Sequence, residues 1–446
     1  MAEIKRILVA NRGEIALRAI RTIKEMGKEA VAVYSTADKD ASYLKLADAA
    51  ICIGGAPSSQ SYLNIPSIIA AAEISGCDAV FPGYGFLSEN QHFVEICTHH
   101  GIKFIGPTPE VMVMMSDKSK AKEVMIAAGV PVVPGSDGAI KDIAEAKVRA
   151  KEVGYPVILK AAAGGGGRGM RVVEDESYIE NAFLAAEAEA ISAFGDGTIY
   201  MEKFIKNPRH IEVQVIADSH GNVLHIGERD CSMQRRHQKL IEESPAVALT
   251  PEVRAELHAS AVRATKYIKY EGAGTFEYLL DADKNFYFME MNTRLQVEHC
   301  VSEMVSGLDL IEMMIRVAEG EALPSQESVV LSGHSIECRI TAEDPVKFLP
   351  CPGKITQWIA PGGRNVRIDT HAHAGYIVPP TYDSMIGKLI VHGKDRNDAI
   401  ERMHRALSEF TITGIKTTIP FHLKMMKNPD FVSNNFDTKY LERYNG

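Results

Sequence analysis

Behind the apolar run Pro156-Val157-Ile158-Leu159-Lys160, the chain passes into Ala161-Ala162-Ala163 and then Gly164-Gly165-Gly166-Gly167-Arg168-Gly169. Such a stretch cannot build a packed helix or strand, because its glycines lose the most backbone entropy on ordering and have no side chain to bury. It must be a loop hung on a strand end, and a loop of this kind can close over a ligand. A lysine at the strand end, beside many backbone N–H groups, points to phosphate as that ligand. The loop lacks both a Gly-Lys-Ser/Thr ending and the dinucleotide glycine spacing, so it is neither common phosphate loop. A flexible linker is the competing reading.

A second constraint lies further on. The apolar runs at residues 274–280 and 286–292 flank Asp281-Ala282-Asp283-Lys284-Asn285, a turn-forming sequence, and predict a β-hairpin. A turn centred on Asp283-Lys284 puts Glu277 opposite Glu290, a like-charge pair that needs a cation or a shared proton. Asn292 shares the face of Glu290, and the three side chains make an all-oxygen set suited to Mg²⁺ or Mn²⁺. Period two then continues: Glu290, Asn292, Arg294, Gln296 and Glu298 alternate with Met289, Met291, Leu295 and Val297. An exposed antiparallel strand has the same period. Next to a metal-phosphate site, however, a guanidinium fork suits a planar, bidentate oxyanion such as carboxylate or bicarbonate, with Glu298 as base.

The segment Glu228-Arg229-Asp230-Cys231-Ser232-Met233-Gln234-Arg235-Arg236-His237-Gln238-Lys239 is a charge cluster in a chain whose net charge is -9. It is read either as a solvated charge run or as a local anion site. The overall acidity argues against nucleic acid as a partner. Hydrophobic residues make up 46% and charged residues 24% of the chain, an ordinary globular balance without a membrane-length apolar run. The N-terminal apolar run Ile7-Leu8-Val9-Ala10 is too short for a signal peptide, so the expected location is cytoplasmic. Seven scattered cysteines, with no Cys-x-x-Cys pair, are expected to be free thiols.

The fold class expected is α/β joined to α+β. Residues 1–115 read as strand, helix and strand units around a parallel sheet, with Asn11 and Glu14 as a helix capping box and Gly27 as the left-handed stop. Residues 116–330 carry the glycine-rich and charged motifs. Residues 331–446 mix strands with a late helix at about residues 397–409.

These motifs together resemble the biotin carboxylase family of ATP-grasp enzymes over essentially the whole chain. The resemblance is carried by Ala10-Asn11-Arg12-Gly13-Glu14-Ile15-Ala16, Pro82-Gly83-Tyr84-Gly85-Phe86-Leu87-Ser88-Glu89-Asn90, residues 160–170, 229–239 and 290–299, and Tyr382-Asp383-Ser384-Met385-Ile386-Gly387-Lys388. It implies an ATP-grasp fold with an N-terminal Rossmann-like βαβ domain, a mobile glycine-rich lid at about residues 131–204 and a C-terminal biotin carboxylase domain. ATP would meet Lys118, Lys160, Gly166, Gly167, Glu202, Lys203, Phe204, Ile205, His210, Gln234, His237 and Glu277. Glu277, Glu290 and Asn292 would hold the metal. Bicarbonate would meet Lys239, Arg294, Gln296, the backbone of Val297, Glu298 and Arg339. Biotin would meet Tyr84, Arg339 and Asp383. The catalytic set implied is Arg294, Glu298, Arg339 and Lys239.

Three positions depart from the usual family pattern: Phe81 in place of His, Cys300 in place of Pro, and Cys351 in place of Ser. A proline at 300 would fix the backbone after His299, so Cys300 puts local rigidity in question.

The chain ends at Gly446, and the expectation is that biotin arrives on a separate biotin carboxyl carrier protein, with carboxyltransferase subunits as further partners and a homodimer as the assembly. Acetyl-CoA carboxylase is the favoured context. A pyruvate or other acyl-CoA carboxylase is the alternative within the family. Outside it stand another ATP-grasp ligase, which needs no bicarbonate, and a non-catalytic nucleotide-binding module, suggested by the first βαβ unit alone.

Overall fold

The computed structural model describes residues 3–136, 138–161, 170–194 and 196–444. Gly166 and Gly167, with the rest of the glycine run, lie outside the described residues. The chain forms two compact units, one of Met1–Val130, Arg209–Tyr278 and Glu290–Gly446, the other of Pro131–Pro208 and Leu279–Met289.

The larger unit opens on a parallel five-stranded sheet in the order Ala49–Gly54, Glu29–Ser35, Arg6–Val9, Ala79–Phe81, Lys103–Phe104. Its strands read as near-continuous apolar runs because helices cover both faces. The helix Gly13–Glu25 lays Ile15, Ala19 and Ile23 into one core cluster, while Ile68, Phe93 and Val94 of other helices fill the opposite one. Gly27 takes the left-handed conformation at φ 73°, and Lys28 N–H bonds Ile23 C=O. That is a glycine stop, as expected.

The capping box is not formed. The helix starts at Gly13, and Arg12 at its N-cap makes no side-chain cap. Asn11 instead donates to the carbonyls of Pro82 and Tyr84, and Glu14 turns to Tyr84 and Lys388. Both side chains reach distant segments, and at the helix start Asn11 Oδ1 accepts from the Arg12 N–H alone, at 2.8 Å.

An eight-stranded sheet follows in the order Phe286–Asn292, Gly272–Leu280, Arg209–Ala217, Val223–Arg235, Gln238–Ser244, His334–Thr341, Met385–Gly393, Val366–Asp369. From Arg209–Ala217 to Val366–Asp369 each strand pairs with the next antiparallel. Helix His299–Ser306 packs on four of these strands, and helix Arg396–Glu409 buries Ala399, Met403 and Ala406 in the C-terminal core.

The smaller unit has its own three-stranded antiparallel sheet, Met170–Val173, Val157–Ala161, Ile199–Lys203. Helices Ile143–Val153 and Ile179–Phe194 share a core with it that includes Ala146, Leu159, Phe183 and Met201. Among the described residues no helix is long and apolar enough to cross a membrane. The seven cysteines are free.

Candidate active site

Strand Arg209–Ala217 is buried along its whole length, yet His210, Glu212 and Gln214 alternate with Ile211, Val213 and Val215. Three polar groups therefore point to one face of the sheet from within a buried strand. Beside it, strand Val223–Arg235 sends Arg229 to the same place: its Nε donates to Glu212 Oε1 at 2.5 Å, and its other nitrogens reach Gln214, Ser302, Thr275 and Gln296 at 2.7 to 3.2 Å. Arg229 is fully buried. Every hydrogen-bonding direction of the guanidinium is engaged, so it organises the site floor.

On that floor Lys239 Nζ meets three carboxylates: Glu212 at 2.6 Å, Glu277 at 3.0 Å and Glu298 at 2.6 Å. The loss of water disfavours its charge, but the three acids outweigh this and raise its pKa well above the ordinary range. Burial likewise opposes ionisation of Glu298, yet Lys239, Arg339 and Arg229 hold its carboxyl well below the usual range. Arg339 Nη2 donates to Glu298 Oε2 at 3.0 Å. The result is one buried carboxylate clamped between an ammonium and a guanidinium, ionised as a base must be.

Glu277 is the second centre. Its Oε1 accepts from Lys239, from Asn292 Nδ2 at 2.8 Å and from Gln296 Nε2 at 2.7 Å, while His210 Nε2 lies 3.0 Å from Oε2. Despite its burial, Lys239 and His210 keep it well below the usual carboxylate range. Arg294 joins through Asn292 Oδ1 at 3.0 Å and is braced by Glu89 at 3.0 Å. Lys388 holds the Val297 carbonyl at 2.8 Å, which leaves the Val297 N–H as the group to offer a ligand. Sequence-distant residues thus meet: Lys239, Glu277, Asn292, Arg294, Gln296, Glu298, Arg339 and His210 form one contiguous array.

Glu290 stands apart from this array, 42% exposed and 3.9 Å from the Lys118 ammonium. At the hairpin turn Asp281 N–H bonds Asn285 C=O and Lys284 is left-handed at φ 68°, so the loop has three residues and is centred on Asp283. The oxygen set of Glu277, Glu290 and Asn292 still suits a hard divalent cation, because Glu277 is ionised and each of the three offers oxygen.

Gln234 pairs with Lys239 beside a tight turn made by Arg236 and His237, which both have positive φ, 49° and 65°. This two-residue form matches strand twist. The charge cluster of residues 228–239 is therefore a strand and a turn, and its first charges serve the interior: Glu228 pairs with Arg254 and His258, and Asp230 with Arg209. Tyr84 gives its hydroxyl to Glu14. Asp383 is exposed and accepts from Met385 N–H at 2.9 Å.

In the smaller unit Lys160 pairs with Glu202 across adjacent strands, and Lys203 spends its ammonium on the carbonyls of Gly154 and Tyr155 at 2.7 and 2.9 Å. Phe204 N–H bonds the Pro156 carbonyl at 3.0 Å, and Ile205 is 9% exposed.

Sequence reasoning passed over Glu212, Gln214, Glu242 and Glu337. The alternation His210-Ile211-Glu212-Val213-Gln214 carried the signal for the first two, since period-two polarity in an apolar strand marks a polar inner face.

Comparison with known proteins follows the same lines. The family "Biotin carboxylase, N-terminal domain" matches residues 3–112, "Carbamoyl-phosphate synthase L chain, ATP binding domain" residues 117–326, and "Biotin carboxylase C-terminal domain" residues 337–443. A biotin carboxylase of Nostoc sp. is 56% identical over 442 residues, 99% of each chain. The crystal structure of a biotin carboxylase-β-γ-ATP complex from Campylobacter jejuni is 71% identical with a TM-score of 0.91, covering 99% of each chain. The biotin carboxylase domain dimer of the Hydrogenobacter thermophilus 2-oxoglutarate carboxylase, solved with MgADP, ADP and bicarbonate, is 50% identical with a TM-score of 0.88, covering 99% of this chain and 98% of that one.

Proposed function

Because the chain belongs to the biotin carboxylase family of ATP-dependent ligases, we propose that it carries the first half-reaction of acetyl-CoA carboxylase, the step that leads to malonyl-CoA and fatty acid synthesis. Biotin on a biotin carboxyl carrier protein is the acceptor, and carboxyltransferase subunits use the product. The working form is a cytoplasmic homodimer, an assembly supported by the dimeric Hydrogenobacter relative.

The observation that carries this reading is Glu298 held between Lys239 and Arg339. Bicarbonate lies against Lys239, Arg294, Gln296, the Val297 N–H and Arg339, and Glu298 takes its proton. The freed oxyanion attacks the γ-phosphate of ATP, giving carboxyphosphate and ADP. ATP is bound by Lys118, Lys160, Gly166, Gly167, the segment Glu202-Lys203-Phe204-Ile205, His210, Gln234, His237 and Glu277. Glu277, Glu290 and Asn292 would hold Mg²⁺ or Mn²⁺, which would supply charge neutralisation at the phosphates. Carboxyphosphate then releases carbon dioxide beside biotin, and its phosphate removes the ureido proton. Arg339 stabilises the resulting oxyanion, with Tyr84 and Asp383 flanking the ring.

The test is ADP release by the purified chain with Mg-ATP, varying bicarbonate and free biotin independently. The expected result is bicarbonate-dependent release that rises with biotin and is lost in Glu298→Gln. Release indifferent to both compounds would replace this reading with that of another ATP-grasp ligase. Identifying the subunits that co-purify tests the acetyl-CoA assignment; a pyruvate-specific carboxyltransferase among them would overturn it.

A further inference from the structure

Arg339 reaches the reacting groups from strand His334–Thr341, and it is fixed at both ends. Its carbonyl accepts from Thr418 Oγ1 at 3.0 Å and His422 Nε2 at 2.8 Å. Its Nε donates to Glu242 Oε1 at 2.6 Å. Glu242 is fully buried, and its second oxygen has no hydrogen-bond partner. Directly across the strand pair stands Glu337, also fully buried, with neither oxygen partnered.

Two adjacent carboxylates in such a place repel unless one carries a proton. Burial pushes Glu337 well above the usual range, so it is the neutral member. Glu242 then holds the charge that faces Arg339.

We propose that Glu242 is a positioning residue for Arg339, fixing the guanidinium through Nε so that its outer N–H groups are presented to Glu298 and to substrate. This rests on the role given to Arg339 above. A guanidinium freed from Glu242 would swing onto Glu298 as a bidentate pair, which is the stronger geometry. That pairing would tie up the base and hide the donors meant for the biotin oxyanion. Glu242 keeps the two catalytic groups joined by a single bond, at 3.0 Å.

The groups facing Glu242 are Lys239 on its own strand, Cys231 on one neighbouring strand, Glu337, Cys338 and Arg339 on the other, and Glu298 at the start of helix His299–Ser306. Burial pushes its carboxyl up to about 7, Arg339 and Lys239 pulling it down and Glu298 pushing it up. As pH falls through neutrality Glu242 gains a proton and loosens its hold on Arg339. An acid limb in kcat/KM for biotin follows.

The experiment compares Glu242→Gln, Arg339→Ala and the double variant by steady-state kinetics between about pH 6 and pH 8, with thermal unfolding as the check on folding. Glutamine preserves shape and can still accept from Nε. Glu242→Gln is expected to lower kcat/KM for free biotin about tenfold and to abolish the acid limb, with KM for ATP unmoved. Added to Arg339→Ala it should cost nothing more, because its effect runs through Arg339. Losses that multiply in the double variant, or an acid limb that survives in Glu242→Gln, would overturn the proposal. Undiminished biotin-dependent turnover in Arg339→Ala would instead overturn the role of Arg339. An impaired Arg339→Ala beside a Glu242→Gln enzyme that behaves as the parent would overturn the role of Glu242 alone.

Discussion

Cys300 is the second residue of helix His299–Ser306, and its Sγ donates to Asp369 Oδ2 at 3.1 Å while Arg367 Nη2 approaches it at 3.4 Å. Burial pushes the thiol well above its ordinary range, so it acts as a proton-bearing donor that ties helix to strand. The rigidity that a proline would give the backbone is replaced here by a side-chain tie. Cys300→Ala removes that donor while Asp369 keeps Arg367 at 2.7 Å, so a loss of about 1 to 2 kcal/mol is expected. Urea unfolding of the variant measures it, and a midpoint equal to the parent's would reduce the thiol to inert filling. At this scale, Asn292, Arg294, Gln296 and Glu298 were legible because they share one period-two run. Glu242 and Glu337 were not, since they lie about a hundred residues apart on separate strands and become neighbours only when Gln238–Ser244 pairs with His334–Thr341.

Strand Met385–Gly393, which carries Lys388, ends where the chain must turn at once into helix Arg396–Glu409. A Cβ on Gly393 would sit 2.4 Å from the Ala399 backbone nitrogen. Gly393→Ala must therefore push the helix off the strand, at a cost of about 1 to 3 kcal/mol. A lowered thermal midpoint is the expected outcome; an unchanged one would mean that the helix start gives way freely. The elements themselves were largely legible from apolar periodicity and glycine stops. Their junctions were less so. The predicted hairpin formed, but Lys284 in a left-handed conformation made its loop three residues long, centred on Asp283 and not between Asp283 and Lys284. Asn11 and Glu14 had the spacing of a helix cap, yet residues 82–84 and Lys388 claimed them. Local spacing says what a side chain can do next to itself and is silent about stronger partners far along the chain.

Four histidines of the larger unit, His225, His299, His371 and His422, are held neutral by burial, which lowers their pKa values to about 4, 3, 3 and 4. Their folded pKa values lie below the unfolded one of 6.5, so the unfolded chain binds more protons as pH falls. Stability is therefore full above about pH 7.5 and is lost as pH falls through 6.5, by about 1.4 kcal/mol per histidine between about pH 7.5 and 5.5. Together that is about 5 kcal/mol, comparable with the net stability of many domains. The effect belongs to the whole unit because its three chain segments, which reach from Met1 to Gly446, pack as one body. Urea midpoints at about pH 7.5 and 5.5 should thus differ strongly. His371 tests the cause: its Nε2 lies 3.0 Å from the Tyr376 hydroxyl, a contact that glutamine can keep, and its Nδ1 has no partner to reward protonation. His371→Gln should lose about 1.4 kcal/mol less than the parent over the same acid shift. An identical loss in both proteins would mean that this imidazole takes up its proton without unfolding the molecule around it.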